Sequence, residues 1–124
     1  MPNTSHSKSN DLPILDTRRL ENILDNDEEM LIEFIAEFNQ LLLDDLEAIS
    51  KELEREYDFD TIRSHAHKIK GSSNNFGAEF LADISSEIEE ASRKKNATRI
   101  KELESPFSQA AAATLDAIKL RLNS

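Results

Sequence analysis

The sequence predicts an all-α fold, an antiparallel up-down four-helix bundle with a short additional N-terminal helix. Three observations lead there. Apolar residues recur in steps of three and four along four long segments. Strand-like alternation never persists. Two glycines and three prolines in 124 residues are too few for the many tight turns of a sandwich or barrel.

Residues 1–10 (MPNTSHSKSN) are small or polar and are expected to form a disordered tail, with residues 11–124 forming one bundle domain. His6 falls in that tail and has no expected role. After Pro13, Ile14 and Leu15, either Asp16 or Thr17 can cap a short helix that runs to about Leu24. Asp25, Asn26 and Asp27 then interrupt it with turn and capping chemistry. From Asp27 to about Glu56, Leu31, Ile35, Phe38, Leu42, Leu46, Ile49 and Leu53 share one helical face, and Phe34 and Leu41 widen the stripe. Asp58 or Asp60 caps the next helix, on which Phe59, Ile62, Ala66, Ile69, Ser73 and Phe76 lie together, and Gly77 suits the left-handed position that ends it. Leu81, Ile84, Ile88 and Ala91 define a helix from about Ala78 to Lys94, with Arg93, Lys94 and Lys95 where the helix dipole favours cations. Asn96 caps the last helix, with Ile100, Leu103, Phe107, Ala110, Thr114, Ile118 and Leu122 inward. Pro106 either kinks that helix or restarts it with Ser105 as cap. The alanines at 110–113 reflect either close helix approach or high helix propensity.

Composition narrows the function. The 25 acidic and 15 basic residues leave a net charge of -10, which opposes binding to a phosphate backbone, and the absence of Trp argues against a base-stacking surface. With no cysteine there is no disulfide, thiolate catalyst or Cys-ligated metal. No apolar run is long enough to span a bilayer, and the polar start lacks the core of a signal peptide. A cytoplasmic location is expected.

Chemistry concentrates around one histidine. His65 and His67 both fall in the helix after Asp58. At about 100° per residue, His65 lies roughly 70° from the centre of the buried stripe and His67 roughly 130° from it. His65 is thus a boundary residue expected to bond a neighbouring helix, whereas His67 faces solvent. Arg63, Lys70, Gly71 and Asn74 lie within two turns of His67 on the same side. A glycine inside a helix costs about 1 kcal/mol relative to alanine. Gly71 projects outward, so close helix packing does not explain it. Its remaining physical use is clearance for a molecule approaching the imidazole. An accessible nucleophile, nearby cations and open space suit receipt of a phosphoryl group, where catalysis is mostly positioning and charge stabilisation.

The stretch Ala66-His67-Lys68-Ile69-Lys70-Gly71-Ser72-Ser73-Asn74-Asn75-Phe76-Gly77-Ala78 closely resembles the signature of histidine phosphotransfer (HPt) domains, roughly A-H-x-[LI]-K-G-[SA]-[SA]-x-x-[LF]-G-A. Helix lengths before and after it extend the resemblance over residues 14–122. The resemblance implies His67 as phosphoacceptor, Lys70 as the phosphate-stabilising cation and Gly71 as the clearance residue. Ser72 and Ser73 match the small positions, Gly77-Ala78 matches the turn into the next helix, and Phe76 replaces the commoner leucine. Arg63, Ser72 and Asn74 are auxiliary candidates. It further implies a phosphorelay carrier passing a phosphoryl group between aspartyl residues of receiver domains, those of a hybrid sensor kinase and a response regulator. Magnesium is expected on the receiver, and no cofactor on this chain.

Other readings weigh less. Residues two apart on a helix point about 200° apart, so His65 and His67 cannot share a metal ion. The absence of a Gly-rich phosphate loop leaves no means of taking phosphate from ATP, so the chain is expected not to be a kinase or other enzyme. One bundle completes its own core, so a monomer is expected, and Met1 with a full-length bundle favours a free-standing protein. On the long helix, Ile32, Ala36, Asn39, Gln40, Leu43 and Ser50 form an uncharged flank about 60 to 160° from the core stripe, opposite Glu33, Glu37, Asp44 and Lys51. That strip is a candidate docking surface, unless Ile32 and Leu43 merely widen the core or touch the short leading helix. The competing function is a non-catalytic adaptor bundle.

Overall fold

A computed structural model describes residues 11–124; the expected tail and His6 lie outside the described residues. Five helices follow in order: α1 (Arg18–Ile23), α2 (Glu28–Leu53), α3 (Phe59–Asn75), α4 (Glu79–Arg93) and α5 (Ala97–Leu122). Each of α2 to α5 packs on the next, and α5 returns to α2, which closes the ring of four. The α1 helix leans on α2.

Local chemistry sets the boundaries. Asp27, Asp58 and Asn96 each accept a hydrogen bond from the backbone N–H three residues on, at 3.1, 3.2 and 3.0 Å, satisfying donors that a helix start leaves free. Thr17 occupies the cap position of α1, but its hydroxyl donates to the Glu21 carboxylate instead. Helix α2 stops at Leu53, short of the expected Glu56. Pro106 does not restart α5, which runs unbroken through it. The proline removes one N–H from the ladder at a turn where Glu102 and Ser105 are exposed, so the freed Glu102 carbonyl can be met by water.

The core is the set of apolar positions that recur at helical spacing. Leu31, Ile35, Phe38, Leu42 and Ile49 of α2, Ile62, Ala66 and Ile69 of α3, Leu81, Ile84 and Ile88 of α4, and Ile100, Leu103 and Ile118 of α5 are all buried. Two expectations on α2 fail. Phe34 and Leu41 do not widen the core; they are 37% and 54% exposed. In their place the α3-facing edge buries Asp45, whose carboxylate meets Lys68 of α3 at 3.3 Å. Ala110 and Ala111 are buried and Ala112 is exposed, so only part of the alanine run serves close packing.

The joint between α3 and α4 positions the site. Gly77 has φ +78, and the Gly77 and Ala78 N–H groups bond back to the Asn74 and Ser73 carbonyls, which closes the C-terminus of α3. The Asp16 N–H donates to the Gly77 carbonyl at 2.8 Å, and the Phe80 N–H to the Pro13 carbonyl at 3.0 Å. A side chain at 77 would sit 1.7 Å from the Asp16 oxygen, so glycine is required twice over, by conformation and by space. Phe76 stacks on Phe38 with ring centroids 4.5 Å apart, tying the joint to α2.

Candidate functional site

Helix α3 carries His67 on its outer face, where its side chain is 67% exposed. The imidazole does not stand alone. Its Nδ1 lies 2.9 Å from Oε2 of Glu89 on α4, and the other oxygen of that carboxylate lies 2.7 Å from the Lys70 ammonium. Glu89 is itself buried. Burial opposes its ionisation, but hydrogen bonds from Lys70 and His67 outweigh this and hold its carboxyl below the usual range. An ionised carboxylate only accepts, so Nδ1 must carry the proton and donate. Nε2 is left as the ring nitrogen with a free lone pair.

The Lys70 side chain is 31% exposed and tied to Glu89. It is therefore held by that carboxylate one turn from His67. Gly71 is exposed, and a methyl group there would meet nothing within 4 Å. No contact among the described residues accounts for this glycine. Arg63 is exposed on the same face, with Asp60 at 3.7 Å, and Asn74 lies two turns beyond His67 along the same line. Ser72 is not brought to the site: its hydroxyl donates to the Lys68 carbonyl of its own helix, on the side facing α2. His65 is half-buried as expected for a boundary residue, but its buried Nδ1 has no hydrogen-bond partner among the described residues, so the expected bond to a neighbouring helix is absent there.

The uncharged strip does not join His67. Glu28 pairs with Arg121 of α5, whereas Asp45 pairs with Lys68 of α3, and these two contacts identify the flanks of α2. Ile32, Asn39 and Leu43 lie on the α5 flank, and Ala36 and Gln40 lie further out toward solvent. The flank beside α3 instead carries the exposed side chains of Met30, Phe34 and Leu41.

Glu89 is the site residue that sequence reasoning missed. Its signal was present: Ala82, Ser85, Glu89 and Ser92 recur in steps of three and four, and all are buried. A carboxylate in a stripe of small side chains marks a helix face that meets a cationic neighbour.

An exposed imidazole braced by a buried carboxylate on a closed helical bundle suits phosphotransfer. The family model described as Hpt domain matches residues 29–119, and the chain belongs to this family. Among solved structures it is similar to the crystal structure of histidine-containing phosphotransfer protein B (HptB) from Pseudomonas aeruginosa PAO1. The two are 26% identical, the match covers 90% of this chain and 97% of that one, and the TM-score is 0.79. No curated protein matches the chain. Its function is histidine phosphotransfer in a phosphorelay, and its partners are receiver domains of two-component systems.

Proposed function

We propose that His67 is the phosphoacceptor, working through Nε2, and that the chain relays the group between aspartyl residues of a hybrid kinase receiver and a response regulator. The observation that carries this is the pairing of an exposed imidazole with a buried carboxylate at 2.9 Å. The Nε2 lone pair attacks the phosphorus of an aspartyl phosphate. The N–P bond forms as the P–O bond to the aspartyl carboxylate breaks, and the electron pair leaves with that carboxylate. Nδ1 keeps its proton, so the ring becomes cationic and Glu89 faces the charge that develops. Lys70, anchored at the other oxygen of Glu89, stands where it can turn to the phosphoryl oxygens. The reverse step delivers the group to a second aspartate.

Magnesium belongs to the receiver in this reading, and the chain needs no cofactor and no ATP site. The carrier acts as a monomer in the cytoplasm; no helix among the described residues is long and apolar enough to cross a membrane. Receivers dock over the outer face of α3 and the adjoining flank of α2, where Met30, Phe34 and Leu41 are exposed. This flank replaces the Ile32–Leu43 strip, which the fold turns toward α5.

Incubation with phosphorylated receiver domain tests the assignment. Wild type and His65→Gln are expected to acquire an acid-labile, base-stable label, and His67→Gln none. Label that survives His67→Gln but not His65→Gln overturns it. A pure adaptor predicts that His67→Gln keeps full function.

A further inference from the structure

A cleft of about 770 Å³ opens between α1 and the C-terminal end of α3. Arg19, Asn22, Asn74 and Asn75 line it. None of these four side chains makes a hydrogen bond or ion pair within the described chain. Asn74 and Glu79 also line a second hollow, of about 240 Å³, that reaches Lys70. The cleft is therefore continuous with the phosphoacceptor's surroundings. Asn74 is seven positions on from His67, about 10 Å along the helix axis and within about 20° of the same face. Even a small transient interface covers about 600 Å² per partner, a disc of about 14 Å radius. A receiver centred on His67 thus overlies the cleft.

Charge selects the group that the cleft would meet. The chain carries -10, and a receiver that holds its phosphoryl group and magnesium on carboxylates presents an acidic mouth. Cations on the facing surface must offset that repulsion. Arg63, Lys68 and Lys70 are each already paired, with Asp60, Asp45 and Glu89. Arg18 forks onto Asp16 through two bonds of 2.9 and 2.7 Å. Glu79 stands at the rim beside Arg18. Arg19 remains, exposed and without a carboxylate partner among the described residues. Three flanking carboxamides, each able to donate and accept, match the peptide groups of a loop.

We propose that this cleft is a second docking element that receives an acidic loop of the receiver domain, with Arg19 as the residue that reads its charge. The inference rests on His67 being the phosphoacceptor, and its test separates the two. Receiver domains loaded with acetyl phosphate are screened for transfer to this chain, and the fastest donor is used with wild type, Arg19→Glu and Lys51→Glu. Lys51 lies on the far face of α2 and serves as the charge-matched control. Arg19→Glu is expected to lower kcat/KM about tenfold at low salt and less than about twofold at 0.5 M salt, because a rim charge acts mainly on association. Lys51→Glu should stay close to wild type. Labelling by phosphoramidate, a donor too small to need docking, should be equal in all three. Arg19→Glu behaving like Lys51→Glu, a loss that salt does not relieve, or a parallel loss of phosphoramidate labelling would each overturn the docking role. Phosphoramidate labelling that persists in His67→Gln would overturn the phosphoacceptor assignment instead.

Discussion

Replacing Gly71 by alanine should make the protein more stable and a worse carrier. Gly71 lies inside α3 with a negative φ that alanine adopts freely, and its added methyl group meets nothing within 4 Å. The helix then gains the difference in propensity, about 0.8 to 1 kcal/mol, with no steric cost to subtract. For a chain of this size that raises Tm by about 3–5 °C. The same methyl group stands one turn from His67, where the receiver must close on the imidazole. Overfilling a packed contact costs about 1 to 3 kcal/mol, so transfer from a phosphorylated receiver should slow about 5- to 150-fold in kcat/KM. Labelling by phosphoramidate should not change. Calorimetry and the two labelling rates together read all three effects. Receiver-driven transfer at the wild-type rate would refute the clearance argument and leave an outward helical glycine without a cause.

Glu89→Ala should release the imidazole proton from Nδ1. A hydrogen bond to a charged group contributes about 1.5 to 3 kcal/mol when buried, and less here because the ring is 67% exposed. A fall of about fivefold in the Nδ1–H to Nε2–H tautomer ratio is expected from imidazole ¹⁵N chemical shifts. Because its folded pKa is depressed, the Glu89 carboxylate stabilises the fold above its ordinary pKa of 4.5. That contribution is lost as pH falls through the folded value, so the stability gap between wild type and Glu89→Gln should narrow below pH 4.5 in urea titrations. Gly77→Ala should destabilise by about 2 to 4 kcal/mol, combining a left-handed alanine with loss of the Asp16 contact, seen as a lower urea midpoint. Tyr57 is the single tyrosine, and burial with a hydrogen bond to Glu104 pushes its phenol up to about 12. Tyrosinate absorbance should titrate near that value, and stability should fall from pH 10 toward 12 in wild type but not in Tyr57→Phe.

The two α2 flanks show where sequence reading stops. A helical wheel locates Leu31, Ile35, Phe38, Leu42 and Ile49 on the buried face, and all five are buried. It does not say which neighbour lies to the left and which to the right, since that depends on the handedness of the bundle. The uncharged strip was therefore found at the correct angle from the core, yet on the side away from His67. The same blindness hid Glu89. His67, Lys70 and Gly71 lie on one helix at local spacings and were legible together, whereas Glu89 reaches them from α4 across 22 residues. Asp45 and Lys68 went unread for the same reason, because their contact depends on how two helices pack. Where a residue answers to a local backbone demand, as Gly77 does with its left-handed φ, sequence and structure agree closely.

That glycine also divides the signature into two independent halves. His67, Lys70 and Gly71 lie on the outer side of α3, while Ser73, Phe76, Gly77 and Ala78 face inward or hold the joint against Asp16 and Phe38. The outer half can be lost with the bundle intact. The inner half cannot, because it fastens the entering strand of chain to the turn between two core helices. A related bundle that kept only the inner residues would fold in the same way and carry no phosphoryl group, so resemblance in that half reports architecture alone. Chemistry in this protein is an outward graft of a few side chains onto a turn that the fold needs for its own sake.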